Sequence, residues 1–167
     1  LIEQIIASHD DVLGCGELQA LSEAVFQNIK FAESDFSVQK VQNVARHYLA
    51  SDRVADVKKR YFTDKMPINY RYLFLALSGL PGAKVIWCRR DRTPLYWSIY
   101  KSFFATRGNP FAYNFEKIKL EFESQQSFMK LTKQHFGDQV IEIRYQDLVE
   151  HSNDTIGCML SNLGLTN

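Results

Sequence analysis

The feature that most constrains the fold is a short apolar run that ends in charge. Ala83-Lys84-Val85-Ile86-Trp87-Cys88 gives way at once to Arg89-Arg90-Asp91-Arg92. The apolar part, Lys84 to Cys88, reads as a strand covered on both faces, the pattern of a parallel sheet. In open parallel sheets, ligands bind beyond the carboxyl ends of the strands. A second short strand, Tyr61-Phe62-Thr63, runs into Asp64-Lys65-Met66-Pro67. A lysine after one strand and arginines after another are expected to converge on one anionic ligand. Ser98 stands eight positions beyond Arg90, about two helical turns on. Together these residues point to a pocket for a phosphorylated or sulfated nucleotide.

The rest of the chain supplies the helices such a sheet needs. Leu1 to Ser8 reads as a helix with apolar positions 1, 2, 5 and 6 on one face, ended by His9-Asp10-Asp11. Gly14-Cys15-Gly16-Glu17 reads as a tight glycine-flanked loop, and Leu18 to Ile29 as a helix. Ser37 to Leu49 is amphipathic, with Val38, Val41, Val44, Ala45 and Tyr48 on one face. Asp52 to Arg60 is expected to continue as helix. Asn69 to Ser78 is another, stopped by Gly79 and Pro81-Gly82. Thr93 to Phe104 follows the arginines, with Pro94 in its first turn where no amide partner is needed. Arg107-Gly108-Asn109-Pro110 is a turn. Asn114 is placed to cap a long helix to about His135, buried along Phe115, Ile118, Phe122, Met129 and Phe136. Val140 to Arg144 is a strand, Tyr145 to Glu150 a short helix or turn, and Ser152 caps a last helix ending near Leu163. Strands alternating with helices give an α/β class and a parallel sheet.

At 167 residues the chain suits a single domain spanning residues 1–167. A net charge of +1 sets up no global field toward nucleic acid or a membrane, so any basic site is local. The three cysteines, Cys15, Cys88 and Cys158, form no CxxC pair, which favours a reducing, cytoplasmic setting. The apolar run Leu73 to Leu77 is far too short to span a bilayer, and no signal peptide is visible. The first residues are already helical in pattern with no cap before them, and the last follow a helix and stop. The chain reads as the middle of a longer polypeptide.

Each candidate residue has a plain structural alternative. Arg89, Arg90, Asp91 and Arg92 form either an anion grip or a solvated charge cluster. Lys65 either meets negative charge developing on a transferring group or is an ordinary exposed lysine. Glu17 is either a general base or a helix-dipole partner. Tyr145 either stacks or hydrogen-bonds at a nucleotide or is a packing tyrosine. The four histidines, His9, His47, His135 and His151, have no metal spacing and read as surface or capping residues. Glu116, Glu121 and Glu123 read as the solvated face of the long helix. The aromatic set Tyr96, Trp97, Tyr100, Phe103 and Phe104 is mostly core, with its wet side available to line an acceptor pocket.

Five pieces in order, LIEQIIASHDDVLGCGE (1–17), TDKMPIN (63–69), residues 83–98, NPFAY (109–113) and IRYQDLV (143–149), resemble the cytosolic and Golgi sulfotransferase superfamily. They look closest to the bacterial sulfotransferases fused to tetratricopeptide repeats, themselves similar to protein-tyrosine sulfotransferases. The resemblance implies a three-layer P-loop-NTPase-like fold, a parallel sheet flanked by helices. It also implies that the first strand and the phosphate-binding loop of the type Pro-Arg-Ser-Gly-Thr-Thr stand before Leu1, and that a closing loop lies beyond Asn167. The implied reaction transfers a sulfuryl group from 3′-phosphoadenosine 5′-phosphosulfate (PAPS), as co-substrate, to a hydroxyl, with no metal.

By position in the motifs, Arg90 and Ser98, rather than Arg89, would grip the 3′-phosphate, and Tyr145 would contact the nucleotide. Glu17 would be the general base and Lys65 would stabilise the transition state. Two departures stand out. Arg92-Thr93 follow Asp91 where the family usually has Asp-Pro, and Ser102 stands where the tyrosine-sulfating branch has a second arginine. The acceptor is a protein tyrosine, a sugar hydroxyl or a small phenol, and the oligomeric state is open. Two rival readings stand beside this one. A nucleotide kinase-like phosphotransferase would need a phosphate-loop lysine and a magnesium-binding acid, neither of which is visible. A non-catalytic remnant would pack without turning over, and the isolated 167 residues are expected to bind PAPS weakly and to be inactive alone.

Overall fold

The structure is a computed structural model that describes residues 1–33, 36–104 and 109–165. It falls into two compact units. The first comprises residues 1–84 together with the chain from Ile156 onward, and the second runs from Val85 to Thr155. Each holds one pair of parallel strands.

In the first unit, α1 (Ile2–Ala7) leads into β1 (Val12–Gly14), a strand the sequence reading does not assign; it places Gly14 in a loop and gives Val12 and Leu13 no element. Three residues are too few to show a periodicity, and the strand exists because a distant partner pairs with it. That partner is β2 (Tyr61–Thr63), in the register Val12–Tyr61, Leu13–Phe62 and Gly14–Thr63. Between them lie α2 (Ala20–Asn28), α3 (Val38–Leu49) and α4 (Asp52–Ala55), the crossover that parallel strands require.

The helix expected over Asp52–Arg60 stops at Ala55. Past it the chain is drawn into the strand pair: the Tyr61 amide donates to the Asp11 carbonyl at 3.0 Å, and Lys59 Nζ donates to the Val12 carbonyl at 3.1 Å. α2 starts at Ala20 rather than Leu18, and the Leu18 amide just before it donates to Asp64 Oδ1 at 3.3 Å. After β2, a 3-10 turn over Pro67–Tyr72 precedes α5 (Leu73–Gly79), so the helix expected from Asn69 is α-helical only in its second part.

Leu21, Val25, Val44, Tyr48, Val54 and Ala76 form the centre of this unit's core. The stripe expected on α3 is buried at Val44, Ala45 and Tyr48, but Val38, on its first turn, is exposed. α5 lies very close to α3. A methyl group at Gly79 would sit 2.9 Å from Ala45 Cβ and 3.0 Å from the Val41 carbonyl oxygen.

The second unit pairs β3 (Val85–Arg89) with β4 (Val140–Arg144) in parallel, from Val85 opposite Val140 to Arg89 opposite Arg144. The crossover contains α6 (Arg92–Tyr100) and α7 (Phe115–Phe136). Asn114 caps α7 as expected, its side chain accepting from the Lys117 amide at 3.0 Å. Ile118, Met129 and Thr132 of α7 are buried, and the Thr132 hydroxyl is satisfied by the Phe128 carbonyl at 2.8 Å. Phe115, expected in the same stripe, is exposed and stacks on Tyr100 with ring centroids 4.3 Å apart.

α6 ends four residues before the expected Phe104. Ser102 Oγ turns back to the Ser98 carbonyl at 2.6 Å, and the Tyr113 hydroxyl engages both the amide and the carbonyl of Phe104, at 3.1 and 3.3 Å. Of β3, only Trp87 is buried, so the strand is not covered on both faces as its apolar run suggested. α8 (Tyr145–Glu150) follows β4 directly, and α9 (Ser152–Leu163) comes after it. In the turn expected at 107–110, Arg107 and Gly108 lie outside the described residues.

Candidate active site

The first unit sets Glu17 and Lys65 face to face. Both lie just past the carboxyl ends of neighbouring strands, β1 and β2, so parallel pairing brings their loops together. Cys15 N donates to the Thr63 carbonyl at 3.1 Å, and Lys65 N donates to the Gly16 carbonyl at 2.7 Å. These bonds carry the pairing two residues past the strands. Gly16 adopts φ +70°, a left-handed conformation that suits glycine, and this turns the chain so that Glu17 stands beside Lys65. Lys65 Nζ donates to Glu17 Oε1 at 2.5 Å, with both side chains about half exposed (51% and 54%). Glu17 precedes α2 rather than sitting in its first turn, and its carboxylate meets a cation rather than a row of helix amides.

Two further carboxylates fix this arrangement, and the sequence reading missed both. Glu3, on α1, accepts from the Gly16 amide at 2.8 Å and from the Thr63 hydroxyl at 3.0 Å, both through Oε1. Asp64 accepts from the Leu18 amide at 3.3 Å through Oδ1, and from the Tyr48 hydroxyl at 3.1 Å and Asn69 Nδ2 at 2.9 Å through Oδ2. Burial raises the Asp64 carboxyl above its usual range, and its donors, the Leu18 amide foremost, pull the other way. Burial first, then the charge of Asp64, pushes the Tyr48 phenol far up, which keeps it a protonated donor. Cys15 is raised by burial and by the nearby charges of Asp64 and Glu3. The signal for this network lay in Tyr48, a residue with a polar tip on the buried face of α3. A buried phenol needs a partner.

The second unit brings Arg90 and Tyr145 together. Each is the first residue beyond its strand, and the paired ends Arg89 and Arg144 make them neighbours. The guanidinium carbon of Arg90 lies 4.8 Å from the centroid of the Tyr145 ring. The next residues are tied as well, with Gln146 Nε2 donating to Asp91 Oδ2 at 2.8 Å. No carboxylate among the described residues pairs with Arg90.

Arg89 has a different fate. Its Nη1 contacts Glu142 Oε1 at 2.5 Å, its guanidinium lies 5.4 Å from the Trp87 ring, and Lys133 Nζ reaches the other Glu142 oxygen at 2.8 Å. The hydrogen bonds from Arg89 and then Lys133 hold the Glu142 carboxyl below its usual range. Arg92 lies 5.7 Å from the Phe122 ring. Ser98, half-buried on the last turn of α6, hydrogen-bonds to neither Arg90 nor Tyr145. Among the described residues, no group of His, Cys, Asp or Glu is placed to hold a metal ion, and no helix is long and apolar enough to cross a membrane.

Comparison with known proteins gives this arrangement a family. A profile of the sulfotransferase family matches residues 1–166, and the chain belongs to that family. A protein of Aquifex aeolicus (strain VF5), named only as uncharacterized, is 29% identical over 173 positions covering 93% of this chain. The alignment takes in 22% of that protein, so the chain spans about a fifth of the curated relative's length. No solved structure matches the chain.

Proposed function

We propose that this chain is a domain of a PAPS-dependent sulfotransferase, in which Glu17 and Lys65 carry the chemistry and Arg90, Ser98 and Tyr145 hold the nucleotide. The observation that carries the proposal is the 2.5 Å contact between Glu17 Oε1 and Lys65 Nζ at adjoining strand ends, within a chain of the sulfotransferase family. PAPS supplies the sulfuryl group and an adenosine bisphosphate that departs with the bond electrons. Glu17 takes the proton from the acceptor hydroxyl as its oxygen bonds to sulfur. Lys65 meets the negative charge that builds on the oxygen leaving sulfur. Arg90 offers a planar fork of donors to the 3′-phosphate, with Tyr145 holding the guanidinium from below and Ser98 adding a hydroxyl. Sulfuryl transfer of this kind, like phosphoryl transfer, rests on positioning and charge stabilisation more than on covalent chemistry. The acceptor is a hydroxyl of a protein tyrosine, a sugar or a small phenol.

The test uses the full-length protein with PAPS and a panel of hydroxyl acceptors. Lys65→Ala is expected to lower kcat about 100-fold, the scale of losing one charge-stabilising donor. Affinity for 3′,5′-adenosine bisphosphate is expected to stay near wild type. Equal turnover by wild type and Lys65→Ala would refute the assignment.

A further inference from the structure

Glu17 and Lys65 touch one another, but neither is held by its own side chain alone. The residues flanking Glu17 are both pinned: Gly16 by the carboxylate of Glu3 and by the Lys65 amide, Leu18 by the carboxylate of Asp64. Asp64 is also the residue covalently next to Lys65. It therefore joins the two loops that present the reactive pair, one through the backbone and the other through its side chain. Its remaining donors come from α3 (Tyr48) and from the 3-10 turn beyond Lys65 (Asn69).

The hydrogen-bond donors to this half-buried carboxylate are uncharged groups, backbone amides together with the Tyr48 hydroxyl and the Asn69 amide. Burying a carboxylate without a cation is costly, and removing it would strand the three donors aimed at it. Asn69 points its Nδ2 at Asp64 and leaves its Oδ1 buried without a hydrogen-bond partner. Turning the amide over would set two oxygens against each other. The network is arranged around the position of Asp64.

We infer that Asp64 is a positioning residue for the transfer step: through its hydrogen bonds to Leu18, Tyr48 and Asn69 it fixes the loops that set Glu17 against Lys65. The inference rests on the proposed sulfuryl-transfer reading for its catalytic part. It also separates geometry from charge. An asparagine at this position retains an oxygen for the Leu18 amide. Its new NH2 would then face the Tyr48 hydroxyl and a turned-over Asn69, whose Oδ1 gains a donor.

The experiment compares Asp64→Ala, Asp64→Asn and Tyr48→Phe in the full-length protein, by steady-state kinetics and by amide hydrogen exchange at Leu18 and Lys65. Asp64→Ala is expected to lower kcat 10- to 100-fold, the scale of a misplaced reactive pair, with KM for PAPS within about twofold of wild type. Its Leu18 amide is expected to exchange about tenfold faster, the scale of losing a hydrogen bond to a charged group. Asp64→Asn should restore both to near wild type. Loss in Asp64→Asn as large as in Asp64→Ala would overturn the inference, because the charge rather than the hydrogen bonds would then be at work. Wild-type kcat and exchange in Asp64→Ala would overturn it as well. If Asp64→Ala does not fold, Tyr48→Phe decides: a several-fold loss of kcat at constant KM supports the inference, and no loss overturns it. A wild-type protein without PAPS-dependent turnover would end the functional reading, while the exchange measurements would still decide whether Asp64 fixes the loops.

Discussion

The guanidinium of Arg90 rests on the ring of Tyr145, 4.8 Å from its centroid, because each residue is the first beyond one of two paired parallel strands. No carboxylate among the described residues pairs with Arg90, and the proposed function gives its N–H donors to the 3′-phosphate. Arg90→Ala is therefore expected to weaken 3′,5′-adenosine bisphosphate binding 10- to 100-fold, the range for a charge-assisted contact. Tyr145→Leu should weaken it a few-fold, as loss of a partly exposed cation–π contact does. Arg89→Ala should leave affinity unchanged, since Arg89 is engaged with Glu142. Isothermal titration of the full-length protein measures all three, and an unchanged affinity in Arg90→Ala would end the phosphate assignment.

Glu142 makes the second unit sensitive to acid. Hydrogen bonds from Arg89 and Lys133 lower its pKa in the folded state. The stability it contributes is thus complete above the unfolded value of about 4.3 and is lost as the pH falls through the lower folded value. Both tryptophans, Trp87 and Trp97, lie in this unit. Thermal melts followed by tryptophan emission should show a midpoint that drops below about pH 4.3, and Glu142→Gln should flatten that drop. An unaltered acid limb in the variant would rule Glu142 out as its source.

Asp64 has the opposite sign. Burial raises its folded pKa, so its contribution is complete below the unfolded value of about 3.9 and is lost as the pH rises through the folded value. Asp64→Asn should remove this loss. Urea denaturation followed by far-UV circular dichroism should show the variant gaining on wild type from about pH 4 upward. A difference that shrinks with rising pH would contradict the assigned direction.

Gly79→Ala should destabilise the first unit. The added methyl would meet Ala45 Cβ at 2.9 Å and the Val41 carbonyl at 3.0 Å. Overpacking of this kind costs about 1–3 kcal/mol, against a gain of about 0.5–1 kcal/mol from replacing glycine inside a helix. The expected net loss in urea denaturation is about 1 kcal/mol. A stabilised variant would show that α3 and α5 separate easily.

What the sequence made legible follows from how local each signal is. α3, α7, β3 and β4 carry their own periodicity or apolar runs, and the Asn114 cap needs only the amide of Lys117. The proposed roles of Glu17, Lys65, Arg90, Ser98 and Tyr145 came from motif resemblance, and the structure places four of these residues in two contacting pairs. β1 escaped because its pairing partner, β2, lies far along the chain. The bonds from Glu3 and Asp64 escaped for the same reason: one carboxylate reaches Gly16 and Thr63, the other Leu18 and Tyr48, and no local pattern encodes such reach. The end of α6 was hidden because Tyr113, outside the helix, takes up the backbone of Phe104.

The division of labour between Arg89 and Arg90 makes the length of β3 a ruler. Trp87 and Arg89 share a face of the strand with Glu142 opposite Trp87, and side chains alternate in direction along a strand. Deleting one residue between Val85 and Trp87 would shift the count by one and reverse every facing. Arg90 would then be delivered to Glu142, and the first residue beyond the strand would be Asp91, a carboxylate in place of a guanidinium. In this protein, which of two identical side chains is tied to Glu142 is decided by parity.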